Sequence, residues 1–212
     1  MSKKDNSEDI IKNTIKSLEK HNCEVIYTDN KEEALNKLKE LIDKKSTIGF
    51  GGSKSLEEIG FFEYFNTANY PNLIDRNKPD ISPEEKSKLQ KKALTADFFL
   101  SSANGVSQTG ELVLIDKWGN RNGAMTFGPN KRIFVIGKNK IKKNLKKAIK
   151  RAQDKAAVLN NIRFNTKNPC TKSGKCKDCN SIERICSVTT IINRCQPPKS
   201  ILVIIVNENL GF

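Results

Sequence analysis

Apolar positions recur at helical spacing early in the chain, at Ile10, Ile11, Thr14, Ile15 and Leu18 and again at Ala34, Leu35, Leu38, Leu41 and Ile42. Side chains three and four apart share one face of a helix, so each set predicts an amphipathic helix, the second opened by Asn30 as N-cap. Between them Glu24 to Tyr27 reads as a short strand, and Thr47 to Phe50 as another that runs directly into Gly51-Gly52. Ser55 and Glu58 have the spacing of a capping box, which starts a helix near Leu56. Ser82, Pro83 and Glu85 repeat that signature with proline at the first helical position, and predict a helix reaching about Ala96.

Farther on, Phe98 to Leu100, Glu111 to Ile115 and Arg132 to Ile136 are apolar, strand-like runs, and Asp116-Lys117-Trp118-Gly119 reads as a turn closing a hairpin. From Ile141 a stripe of Leu145, Ala148, Ile149, Ala152 and Ala156 predicts a helix whose outer face carries Lys142, Lys143, Lys146, Lys147 and Lys150. Residues 160–200 show little periodicity. Ile201 to Val206 is wholly apolar, as befits a strand buried on both faces. Alternating helices and strands predict an α/β fold: a mixed, largely parallel sheet flanked by helices, in one domain over 1–212 with 160–200 as a cysteine-rich excursion.

Composition narrows the function classes. The chain has no apolar run of about 18 residues, and it opens on the polar stretch Met1 to Glu8, so neither a membrane span nor a secretory signal is expected. A cytoplasmic protein follows. The 38 Lys and Arg exceed the 24 Asp and Glu by a formal charge of +14. That excess is spread along the chain and lacks the clustered aromatics and arginines of base stacking or base-edge readout, which argues against nucleic acid as partner. A single histidine, His21, leaves Ser-His-Asp and Cys-His mechanisms unsupported.

Candidate chemistry lies in three places. The first is the strand, glycine turn and helix start around Gly51, Gly52, Ser53 and Ser55, where free N–H groups can meet an anion. It is not a Walker A motif, because Ser53 precedes Lys54-Ser55, nor a dinucleotide fingerprint, because Lys54 stands where a third glycine belongs. The second is Ala103 to Glu111, whose Asn104, Thr109 and Gly110 offer donors to a ligand, with Glu111 as candidate base or nucleophile and Arg121 as a planar fork for carboxylate or phosphate. An anionic small molecule is the expected ligand.

The third is a cysteine block. Six cysteines are many for a compartment that keeps thiols reduced, and Cys170, Cys176, Cys179 and Cys186 follow a C-x5-C-x2-C-x6-C pattern. Four thiolates suit tetrahedral zinc or a 4Fe-4S iron–sulfur cluster. Cys195 is a candidate substitute ligand, whereas Cys23 reads as core.

Taken together, GGSKSLEEIG, ADFFLSSANGVSQTGELVLIDKWGNRNGAMTFGP, VIGKNKI, the cysteine block and the terminal LGF resemble the short single-domain branch of the lactate-utilisation (LUD) domain family. The resemblance implies a fold similar to the ribose-5-phosphate isomerase and CoA-transferase class, in which glycine-rich strand-to-helix turns hold phosphate or CoA groups. It also implies a role in oxidising L-lactate to pyruvate, beside partner subunits that carry iron–sulfur clusters. Two readings therefore stand. In one the protein is a subunit of an iron–sulfur redox system. In the other it is an isomerase- or transferase-type enzyme on a phosphorylated or CoA-linked substrate, with Glu111 active and a structural zinc.

Overall fold

The computed structural model describes residues 5–212; residues 1–4, part of the polar opening read above, lie outside the described residues. The apolar runs assemble into a five-stranded, wholly parallel sheet. Its strands are β1 (Glu24–Thr28), β2 (Ile48–Phe50), β3 (Phe98–Ser101), β6 (Lys131–Gly137) and β9 (Ile201–Val206), in the order β1-β9-β6-β3-β2. A second sheet of four strands, β4 (Gly105–Ser107), β5 (Leu112–Asp116), β7 (Ile141–Lys142) and β8 (Val188–Ile192), has the order β7-β4-β5-β8 with antiparallel pairs on both sides of β5. The α/β class is as expected. What the pattern did not separate is that the strands divide between two sheets.

Helices fill the connections: α1 (Asp5–Lys20), α2 (Lys31–Leu41), the short α3 (Lys54–Glu58) and α4 (Phe61–Tyr64), α5 (Pro83–Lys92), α6 (Asn120–Thr126), α7 (Leu145–Arg151), α8 (Val158–Arg163) and α9 (Pro169–Ser173). Strand side chains alternate between faces, and this sorts the core. Leu202, Ile204 and Val206 of β9 join Ala34 and Leu38 of α2 and the aromatic group Phe50, Phe61, Phe65 and Tyr70 on one side. Ile201, Val203 and Ile205 face α1, α6 and the second sheet through Val106, Leu112 and Leu114 on the other. β9 lies between β1 and β6 with all six residues buried, as its apolar run requires. The outer face of the second sheet, Val113 and Ile115, is covered by Ala148, Ala152 and Ala157.

Three expectations change on contact with the structure. The turn 116–119 closes no hairpin: β5 and β6 belong to different sheets, and the turn instead starts α6, whose Arg121 and Asn122 N–H groups donate to the Asp116 carboxylate at 2.9 and 3.3 Å. The helix after the glycine turn begins at Lys54, with Ser53 as N-cap accepting from Leu56 N at 3.2 Å, and Glu58 accepts from Gly211 N rather than closing a capping box. The segment 160–200 is also less irregular than its pattern, since it contributes β8 to the second sheet. Among the described residues no helix is long and apolar enough to cross a membrane.

Candidate functional site

A parallel sheet gathers the loops that follow its strands at one edge, where ligands of open α/β sheets commonly bind. Here those loops surround a cleft of about 690 Å³. Gly52 and Ser53 follow β2, Ser102 to Asn104 follow β3, Lys140 follows β6, and Phe212 comes from the tail beyond β9.

The floor of the cleft is cationic and buried. Lys140 is buried, and its Nζ donates to Ser55 Oγ and Ser102 Oγ, both at 2.8 Å. Arg121 is buried beside it, with Nη1 on the Ser102 carbonyl at 2.9 Å and Nη2 on Asn104 Oδ1 at 2.9 Å and the Ile115 carbonyl at 2.5 Å. Behind them Arg151 reaches the carbonyls of Asn139 and Asn104, leaving one guanidinium nitrogen without a partner; the Nε of Arg76, at the cleft, is likewise unpartnered. Every hydrogen bond named goes to a neutral oxygen. Among the described residues none of these four cations forms an ion pair.

Charge buried in a low-dielectric site moves the proton equilibria, opposed here only in part by Asp116 near Arg121 and Arg76 and by Glu58 near Lys140. Burial first, then the like charges of Arg151 and Arg121, hold the Lys140 ammonium well below its ordinary value. Burial also lowers Arg121 and Arg76, and pushes Arg151 down to about 10. A carboxylate or phosphoryl group entering the cleft would supply the missing counter-charge, and without one Lys140 is suited to donate or accept a proton.

Two glycines of the turn serve different ends. A Cβ on Gly51 would lie 2.7 Å from both Cγ and Cδ of Arg121, so Gly51 admits the arginine stem rather than a ligand. A Cβ on Gly52 would meet only the tip of Arg76, at 3.1 Å. Of the expected ligand residues, Gly52, Ser53, Asn104 and Arg121 line the cleft, while Ser55 is buried behind it holding Lys140. Thr109, Gly110 and Glu111 do not line it. They form the turn at the opposite end of β4 and β5, where Gly110 O lies 3.4 Å from His21 Nδ1 and Glu111 accepts from Thr109 Oγ1 at 2.6 Å. Burial works against the Glu111 charge, but the hydroxyls of Thr109 and Ser107 outweigh it and keep the carboxyl below its usual value.

The LUD domain family profile matches residues 11–206. The chain belongs to the LUD domain family. The crystal structure of a DUF162 family protein from Deinococcus radiodurans is similar to it with a TM-score of 0.52 at 14% identity, covering 95% of this chain and 98% of that one, a likeness of fold. No curated protein matches the chain.

In this LUD domain the cysteine loop forms part of the cleft wall, through Glu183 and Ile185 between Cys179 and Cys186. Glu183 fastens the loop to its root, its carboxylate accepting from Lys167 N at 2.6 Å and its carbonyl from Asn168 Nδ2 at 3.0 Å. Arg184 clasps the interior, donating to the carbonyls of Cys179 and Cys186 and to Asp178 Oδ1. Cys170 sits on α9, which ends at Gly174 in the left-handed conformation, φ 68°. The Cys176 sulfur accepts from Asp178 N at 3.4 Å. Burial raises the Cys170 thiol, and Cys179, Cys186 and Cys176 add to that. Among the described residues no three Cys, His, Asp or Glu side chains are already drawn together as a metal site. Cys195 takes no part in this loop: it is buried near Cys23, whose thiol is pushed up to about 12 by burial and then by Cys195.

Sequence reading missed Lys140, Arg76 and Arg151. The one available signal was the position of Lys140, three residues past the end of the apolar strand β6, at the strand end that parallel sheets use for ligands. Arg151 directly follows the lysines read as a solvated basic face and carries no signal of its own, and Arg76 has no local pattern.

Proposed function

We propose that this LUD domain binds a small anionic ligand, through a carboxylate or phosphoryl group, in the cleft at the strand ends. We place it as a cytoplasmic subunit of an iron–sulfur redox system for oxidation of L-lactate to pyruvate. The observation that carries the ligand is the set of buried Lys140 and Arg121 with the partly buried Arg76, none of them in an ion pair among the described residues, since burying such charges is unfavourable until an anion joins them. The lactate role rests on family membership, and the compartment accords with six free thiols. The position of Glu111 outside the cleft, and the use of Asp116 as a helix cap, favour this reading over a transferase-type enzyme with a carboxylate nucleophile.

Cys170, Cys176, Cys179 and Cys186 would hold the metal centre, and the soft four-sulfur donor set fits either zinc or a 4Fe-4S cluster. A cluster supplies one-electron transfer when bound, whereas zinc supplies only a brace for the loop. Arg184 and Glu183 keep the loop against the cleft wall in either case.

Calorimetric titration with pyrophosphate and with L-lactate tests the ligand. One of them should bind the wild type, and Lys140→Gln should weaken it roughly 10- to 150-fold, the worth of one hydrogen bond to a charged group. Absence of binding by both, or equal affinity in the variant, would overturn the reading. Metal and sulfide analysis of anaerobically purified protein tests the centre, and protein free of both metals would remove it.

A further inference from the structure

The ligand read above is named only by its charge, but the upper part of the cleft adds a second chemistry. Trp118, the single tryptophan of the chain, is 77% exposed and lines the cleft. Lys117 lies over its ring, Nζ 4.9 Å from the centroid, so that a cation and an aromatic surface stand together at the cleft. Trp118 stands in the turn that Asp116 rigidifies, three positions before Arg121, so the same cap that seats the cationic floor also holds the exposed ring. A second exposed ring, Phe164, lines the cleft beside Arg163, whose guanidinium lies 4.6 Å from its centroid. Its exposure is 59%.

Volume and charge point the same way. A cleft of about 690 Å³ falls within the range of sites that enclose cofactor-sized molecules and greatly exceeds what a three-carbon acid fills. Seven of its lining residues are Lys or Arg against three Asp or Glu, and of the three acids Glu57 is paired with Lys54 while Asp116 is engaged as a cap. That surplus matches several negative charges rather than one.

Resting on the anion reading, we propose that the cleft binds a nucleotide-class ligand. Its polyphosphate chain lies on Lys140, Arg121 and Arg76, and its planar base stacks on Trp118 at the rim. The recognised chemistry is a diphosphate joined to an aromatic base, whether in a free nucleotide or within a larger cofactor built on one. Arginines and a lysine with open donor positions suit phosphoryl oxygens, and an exposed indole offers a stacking surface that tolerates any base.

The test compares ADP with inorganic pyrophosphate on the full chain by calorimetry, with Trp118 fluorescence followed in parallel. ADP should bind about 5- to 150-fold more tightly than pyrophosphate, the worth of one base–aromatic stack, and should quench Trp118, whereas pyrophosphate should leave it unchanged. Trp118→Ala, which removes an exposed side chain, should bring ADP down to the affinity of pyrophosphate, and Lys140→Gln should weaken both alike. Equal affinities of ADP and pyrophosphate in the wild type would overturn the nucleotide while leaving the anion site intact. Binding of neither would overturn the nucleotide, and with it the anion reading if L-lactate also fails to bind, while tighter ADP binding that survives Trp118→Ala would place the base elsewhere and refute the stacking assignment.

Discussion

Lys140 shows how one side chain links the stability of this LUD domain to its ligand. Burial and two neighbouring arginines depress its proton affinity in the folded state, whereas the unfolded chain keeps the ordinary value of 10.5. Between the lowered value and 10.5 the unfolded state binds the extra proton, so the ligand-free protein becomes more stable as the pH rises. Below that window the cost of the buried charge is fully present, and above it the cost is gone. Denaturant unfolding across pH, with wild type and Lys140→Met side by side, should show a difference that climbs by up to about 1.4 kcal/mol per pH unit inside the window and levels off on either side. A difference independent of pH would mean that Lys140 keeps its proton through folding. Anion affinity should run in the opposite direction and fall as the pH rises, because the ligand needs the ammonium.

Elements decide how such a residue can be held in place. The helical segment from α7 to α8 contains a π turn, Ala152–Ala157, and lies on the second sheet through the buried Ala148, Ala152 and Ala157. Small residues let the helix approach closely, and Gly105 of β4 completes the fit, since a Cβ there would stand 2.4 Å from the Ala148 carbonyl oxygen. The backbone must move to relieve that contact. Gly105→Ala should therefore cost about 1–3 kcal/mol in unfolding free energy, the usual scale of overpacking, and should weaken anion binding as well, because Arg151 on this helix reaches the Asn104 carbonyl next door. A variant with wild-type stability would show that the helix slides freely on the sheet. The element reading from sequence was reliable where a local device acted alone: Asn30 and Ser82 cap α2 and α5 as their spacing indicated. It failed at α6, where the turn residues also fit a hairpin and only the assignment of β5 and β6 to separate sheets selects the helix.

At the scale of the whole molecule, the cleft is shared between the parallel sheet, which supplies its cationic floor, and the cysteine loop, which supplies part of its wall. If Cys170, Cys176, Cys179 and Cys186 hold a metal centre, its removal should increase hydrogen exchange across 167–186 and weaken pyrophosphate binding by several fold, since few apolar side chains order that loop at a cost of roughly 1–2 kcal/mol per residue. Unchanged exchange and affinity after removal would separate the two sites. The α/β class, the inner strand Ile201–Val206, the glycine turn and the cysteine block were all legible in the chain, because each depends on periodicity or spacing within a short window. The strand ends could be named as a site for the same reason. Which side chains meet there was decided only by the tertiary structure: Arg76, Arg121, Lys140 and Arg151 converge from four separate segments, while Glu111, a few residues from Asp116, is carried to the far end of the same strand. Local pattern reports which face a residue occupies, but convergence depends on strand order and direction, which are set by the packing of the whole core.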